Sequence, residues 1–429
     1  MSAMPILHGE EAGRWVARRT WPEVDAEARA AVEPILAAVR DRGDKAVREY
    51  SLRFDGVALV SFEARAEDRR DALRGLTPER RRALEEARAN LERFHRSQLR
   101  REPRVEVCPG VSVWREFRPV DRVGIYVPGG RADYPSSVLM AGVPARLAGC
   151  PEVVVCAPPG PDGRPPASVL AAAELLELDR VFAVGGAQAV AALAFGTETI
   201  PRVDKIVGPG NRYVTAAKLL VFGLVDVDMP AGPSEIVALA DADADAAWIA
   251  ADLISQAEHA PDALAVCVTP DAALAGRVAQ EAERQLAALP EPEIARTSLG
   301  RSAICVAPDL DGAIAWVNRL APEHLTIVTR DAERVLDRIF NAGSVFLGPY
   351  APVAAGDYAT GSNHVLPTAR HARAFDGLSV DDFGKWIQAQ ELTADGLRGL
   401  ADTVTTLARW EGFEAHARAV EIRLETPHR

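Results

Sequence analysis

Cysteine is scarce in this 429-residue chain, and its five copies, Cys108, Cys150, Cys156, Cys267 and Cys305, form no Cys-x-x-Cys pair. An odd number without a pairing pattern argues against a disulfide framework. Several of the five lie in apolar runs, as buried thiols do, so a reducing compartment fits. Long hydrophobic runs are also missing. The uncharged stretch Val181–Phe195 falls short of the roughly 20 apolar residues that a membrane helix needs, and it contains Gly185 and Gly186. Met1–Arg19 has no sustained apolar stretch, which predicts no secretory leader and a cytoplasmic protein. There is no basic excess. The formal net charge is −12, and the Arg-rich stretches at 64–82 and 96–104 are interleaved with Glu and Asp, so a nucleic-acid partner is excluded. An acidic surface tolerates a small cationic substrate better than an anionic one. Fixed-period repeats, low-complexity linkers and the Gly-x-Gly-x-x-Gly fingerprint are all absent.

What is present is an alternation of short apolar runs and helical segments. The first hundred residues read mostly as helix, with Val32, Ile35, Leu36 and Val39 at helical spacing, a break at Arg42-Gly43-Asp44 and a second amphipathic run from Pro78 to Leu99. From Arg122 the pattern predicts strands at 123–127, 152–156, 180–184 and 203–207. A second series follows at 236–240, 263–269, 303–306, 325–328 and 345–347. Strand, helix, strand repeated in this way means parallel sheets covered on both faces. The expected fold is therefore α/β, with two incomplete Rossmann-like parallel-sheet domains and helical N-terminal and C-terminal segments. They are expected to join near Pro230–Pro233, and the tail to be helical over 397–424 with a break at Gly412.

Loops after strands are where ligands sit in such sheets. Here they carry Pro128-Gly129-Gly130, Gly185-Gly186-Ala187-Gln188 and Gly208-Pro209-Gly210-Asn211. Each allows a cofactor to approach the backbone, and each following helix start offers free N–H groups to a phosphate. Two further constellations carry chemistry. Ser255-Gln-Ala-Glu-His259 is predicted on a helix, which puts Gln256 and His259 on one face as a metal clamp. With Asp357 and one more His they would complete a shell suited to zinc. His416, in Glu411-Gly-Phe-Glu-Ala-His416, is the best placed fourth ligand, with His364 and His324 having nearly equal claim by spacing. Glu323-His324, at the junction of a helix and a strand, can divide proton work between a carboxylate and an imidazole.

The segments Gly124-Ile-Tyr-Val-Pro-Gly-Gly130, Lys205-Ile-Val-Gly-Pro-Gly-Asn211, Ala231-Gly-Pro-Ser-Glu235, Ser255–His259, Ala321-Pro-Glu-His324, Gly356-Asp-Tyr358 and Ser362-Asn-His-Val-Leu-Pro367 together resemble the signature of the histidinol dehydrogenase family. The resemblance implies oxidation of L-histidinol to L-histidine through a bound aldehyde, with NAD as cofactor and one zinc ion per subunit. It implies NAD contacts at Tyr126, Gln188 and Asn211 and zinc ligands at Gln256, His259, Asp357 and His416. Substrate contacts are implied at Ser234, His324 and Glu411 together with the zinc ligands, and Glu323 and His324 are implied as the acid/base pair. It also implies a homodimer in which Glu411 and His416 complete the partner's site. The implied domains are an N-terminal helical segment (1–24), an α/β body carrying the metal and catalytic residues (25–121 plus 234–378), an NAD-binding domain (122–233) and a C-terminal tail (379–429). Gly384–Gln390 departs from the small polar residues associated with that stretch of the family.

Overall fold

The computed structural model describes residues 4–18, 25–130, 132–230 and 232–425. Contacts divide it into two units, Met1–Gln98 with Asp121–Phe383, and Leu99–Val120 with Gly384–Arg429. The sequence reading had grouped 99–121 with the preceding helices. The proposed 1–24 helical segment is described only over 4–18, where a short strand precedes the helix Gly9–Ala17; its residues 1–3 and 19–24 lie outside the described residues.

In chain order, β1 (Ile6–His8) is followed by the hairpin β2 (Val105–Cys108) and β3 (Val111–Pro119). Next come β4 (Arg122–Tyr126), β5 (Glu152–Ala157), β6 (Arg180–Ala183), β7 (Lys205–Val207) and β8 (Asp226–Val227). The last are β9 (Glu235–Ala240), β10 (Leu264–Thr269), β11 (Ala303–Val306), β12 (His324–Val328), β13 (Ser344–Leu347) and β14 (Gly384–Leu392).

The larger unit holds two wholly parallel sheets. One runs β6-β5-β4-β7-β8 and the other β11-β10-β9-β12-β13, with β1 added beside β11. Both have the order third, second, first, fourth, fifth within their own series. The chain therefore repeats one topology that no sequence repeat announces. Strand order reverses between β4 and β7 in the first sheet and between β9 and β12 in the second. In the second sheet, side chains alternate between two cores, as the period of two requires. Ile236, Ala238, Ala265, Cys267 and Ile304 enter one, and Val237, Leu239, Val266, Val268 and Cys305 the other. These strands are buried on both faces, which is why they read as unbroken apolar runs.

Helices begin where side chains can satisfy the first free N–H groups. Asp25 caps Ala26–Arg42, Asn211 caps Arg212–Val221 and Asp245 caps Ala246–Ala257. Four of the cysteines are buried and all five are free. No helix among the described residues is long and apolar enough to cross a membrane.

The smaller unit is an antiparallel sheet, β14-β3-β2, with the helices Ala394–Trp410 and Glu414–Glu425. Gly384–Gln390, read from sequence as a departure, is thus strand. The Trp386 ring meets Phe117 edge-on, and the guanidinium groups of Arg100 and Arg115 lie 5.5 and 5.2 Å from its centre.

Candidate active site

The glycine loops lie at the carboxyl ends of β4, β6 and β7, around the reversal of strand order. Two of their glycines are required by close approach. A Cβ on Gly185 would stand 2.5 Å from Pro158, and a Cβ on Gly208, where φ is +120°, would collide with the Tyr126 carbonyl oxygen. Below the last of these loops a buried ion pair holds the backbone at two points: Gly208 donates its N–H to Asp228 Oδ2 at 2.7 Å, and Lys218 Nζ donates to the Gly208 carbonyl at 3.1 Å. Nothing in the sequence reading singled out Lys218 or Asp228.

Tyr126 ends β4 with its hydroxyl accepting the Gly186 N–H at 3.1 Å, and burial pushes the phenol up to about 12. Gln188, in the first turn of Gly186–Phe195, is buried with neither amide atom hydrogen-bonded. Two orphaned polar atoms in one side chain are costly unless a ligand meets them. Asn211 is exposed, and its side-chain oxygen accepts the N–H groups of Tyr213 and Val214. Only its amide nitrogen remains to reach a ligand.

The residues expected to hold a metal and to act as acid and base gather at the amino end of the second sheet. Glu323 precedes β12, His324 is its first residue and Ser234 precedes β9, so these groups lie where loops lead into strands and not, as the glycine loops do, where loops leave them. The crossover helix Ala246–Ala257 runs antiparallel to the strands it joins, and its C-terminus delivers Gln256 to the same end. Glu258 closes that helix, so His259 lies just beyond it, where a wholly helical Ser255–His259 had been expected. Gln256 is buried and its Nε2 has no partner. His259 is exposed, with Nδ1 3.0 Å from the Ser255 carbonyl. That contact makes Nδ1 the protonated nitrogen and leaves Nε2 with a free lone pair.

One backbone position orients Glu323 and His324. Glu323 Oε2 accepts the Glu235 N–H at 2.7 Å, and His324 Nδ1 lies 3.2 Å from the Glu235 carbonyl. His324 Nε2, also buried and without a hydrogen bond, is 3.6 Å from Asp357 Oδ1. Burial drives the Glu323 carboxyl above the usual range, with His324 only partly offsetting it. Burial opposes charge on His324, but the carboxylates of Glu323 and Asp357 outweigh it and raise its pKa. Asp357 moves the other way: burial raises it, yet its contact with His324 leaves it below the ordinary value.

His364 sits on the same cluster, with Nδ1 3.0 Å from the Asp357 carbonyl, and burial lowers its pKa despite the Asp357 carboxylate. Its loop is held from behind by His95, which no sequence signal marked. His95 Nδ1 is 2.8 Å from Gln98 Oε1, and its Nε2 faces the amide of Asn363, which also donates to the Met140 carbonyl at 2.7 Å.

The structure thus brings together Glu323, His324, Asp357, His259 and His364, with Gln256 at the same strand ends. Among the described residues no group of three or more His, Cys, Asp and Glu is set to hold a metal ion. Glu411 and His416 belong to the smaller unit, where both are exposed: Glu411 closes the helix Ala394–Trp410, and the His416 ring lies 5.1 Å from Phe413.

The family model described as histidinol dehydrogenase matches residues 19–424. A histidinol dehydrogenase of Methanothermobacter thermautotrophicus is 48% identical over 92% of each chain. One of Xanthomonas axonopodis pv. citri is 48% identical over 94% of each. The crystal structure of histidinol dehydrogenase from Elizabethkingia anophelis superposes with a TM-score of 0.95 at 38% identity, covering 99% of both chains.

Proposed function

The chain belongs to the histidinol dehydrogenase family, and on that premise we propose that it oxidises L-histidinol to L-histidine through bound histidinal, the last step of histidine biosynthesis, with NAD⁺ as oxidant. The observation that carries the reading is the buried Glu323–His324 pair oriented by the two sides of Glu235.

The donor sets suit both absent groups. Turning the Gln256 amide by half a turn puts its oxygen where the orphaned atom lies, and that oxygen, His259 Nε2 and Asp357 form a neutral and anionic set of the kind zinc accepts. These three, with His416 of the partner subunit, would hold the ion, whose chemistry is to orient the substrate's amine and imidazole and draw off charge. Tyr126, Gln188 and Asn211 would hold NAD⁺, which supplies the hydride acceptor.

His324 is the base for the alcohol. Its Nδ1–H is committed to Glu235, so Nε2 takes the hydroxyl proton as hydride leaves carbon, and Asp357 stabilises the imidazolium that forms. In the second half Glu323, made more basic by burial, takes a proton from the water that attacks the aldehyde. The hydrate then gives up the second hydride to a second NAD⁺ while His324 again takes a hydroxyl proton, which leaves the carboxylate. Ser234 and Glu411 bind the substrate, Glu411 by pairing with its cationic end. Keeping the aldehyde in one site prevents its reaction with cellular amines.

A homodimer that exchanges its tails, working in the cytoplasm, completes the reading. It is supported by a metal set that has three ligands in the larger unit and an exposed His416 in the smaller one. The test is the stoichiometry of NADH formed per L-histidinol consumed. Two is the expected value, and one would reduce the protein to a simple alcohol dehydrogenase.

A further inference from the structure

Asp55 is an acid in an unfavourable place. It ends the helix Asp44–Asp55, where the peptide dipoles repel a negative charge. Its Oδ2 is buried and accepts no hydrogen bond. The nearest arginines in sequence are engaged elsewhere: Arg53 lies over the ring of Phe54, and Arg48 lies over Phe62 and pairs with Asp44. Among the described residues no cation forms an ion pair with Asp55. A carboxylate held at a helix end, half-buried and uncompensated, costs stability three times over, and such costs persist where a ligand repays them.

Its surroundings identify the ligand. The helix packs against Gly186–Phe195, and the Asp55 charge reaches the phenol of Tyr126 closely enough to raise its pKa. Tyr126 in turn holds the Gly186 N–H, and two residues further on stands the orphaned amide of Gln188. Asp55, Tyr126 and Gln188 therefore converge at the carboxyl ends of β4 and β6 with acceptors and donors unspent. A pair of neighbouring hydroxyls matches that set: both can donate to one carboxylate, and their oxygens can accept from an amide. We propose that Asp55 binds the vicinal hydroxyls of a ribose of the dinucleotide, with Gln188 as the second partner of that sugar.

The proposal rests on NAD being the cofactor. Burial pushes the Asp55 carboxyl up to about 6, so it is ionised and a strong acceptor at neutral pH.

The test is equilibrium binding of NADH and NADPH, followed by nucleotide fluorescence, to the zinc-loaded wild type and to Asp55→Asn and Asp55→Ser. Losing a hydrogen bond to a charged group weakens NADH binding about tenfold or more, while zinc content and melting temperature stay at or above wild type because an unpaired buried charge has been removed. Loss confined to NADH assigns the carboxylate to the adenosine ribose, whose 2′-phosphate in NADPH it would already repel. Equal loss for both nucleotides assigns it to the nicotinamide ribose. Wild-type NADH binding by both variants overturns the proposal alone. A wild-type enzyme that binds neither nucleotide overturns the proposal and the cofactor reading together.

Discussion

Glu323 accepts the backbone N–H of Glu235 at 2.7 Å, tying the start of β12 to the start of β9. A Gln at position 323 can accept the same bond through its amide oxygen but cannot take a proton from water. Glu323→Gln therefore keeps its fold and its alcohol oxidation while aldehyde oxidation falls by about 10²- to 10⁴-fold, the usual weight of a general base. Single-turnover reactions started separately from histidinol and histidinal measure the two steps. Equal losses would contradict the division of labour between Glu323 and His324.

Lys218 and Asp228 form a pair with almost no exposure, so removing one partner strands the other charge in the interior. Lys218→Met is expected to cost about 3–5 kcal/mol in urea unfolding and to raise KM for NAD⁺ by loosening the Gly208 carbonyl. Lys218→Met with Asp228→Leu should recover much of the stability without recovering the KM. A double variant as unstable as the single one would mean that the pair is not the cause.

His95 is buried, and desolvation lowers its pKa although the contact with Gln98 opposes the shift. The folded state thus binds this proton more weakly than the unfolded chain, whose His titrates near 6.5. Its contribution to stability is full above that value and is lost as pH falls below it. In His95→Gln the decline of stability between pH 6.5 and 5 is expected to flatten, by up to about 1.4 kcal/mol per pH unit. Urea midpoints across that range decide it, and an unchanged slope would remove His95 as the source.

His259→Ala and His416→Ala should each lose zinc and activity as homodimers. Unfolded together and refolded as a mixture, they should pair at random, so half of the dimers carry one intact site and about a quarter of wild-type activity returns. If each tail served its own chain, every site would keep one defect and refolding would restore nothing. Metal analysis of each purified variant checks the ligand assignment, since full zinc occupancy in either would contradict it.

Much of this architecture was legible because the interior strands are apolar on both faces: Val153–Cys156 and Ile236–Ala240 announce themselves locally. The antiparallel strands do not. Val105–Cys108 is largely exposed and Gly384–Leu392 mixes Lys, Gln and Glu with Trp and Ile; β14 finds its partner in Val111–Pro119, far away in sequence. Glu323, His324 and Asp357 could be named because their short motifs are distinctive. Asp55 and Lys218 could not, since a lone acid before Gly56 and a helical lysine each look like surface until burial is known. The end of the sheet at which Gln256 and His324 gather was also hidden, because it depends on a helix running antiparallel to its strands.

That placement puts the opposite rim of the second sheet a strand's length away from Glu323 and His324. At the carboxyl ends of β9 and β12 the loops carry solvent-facing charge: Arg330 bonds Asp243 at 2.7 Å and its N–H reaches Asp241. A doubly wound sheet ordinarily exposes its catalytic groups and its most changeable loops at the same edge, so that every insertion there is a trial of the active site. Here the proposed acid/base pair and those loops are separated by the length of the strands. Loops at that edge can lengthen or change their charge while Glu323 and His324 stay where Glu235 holds them, so one pole of the sheet is free to drift without moving the other.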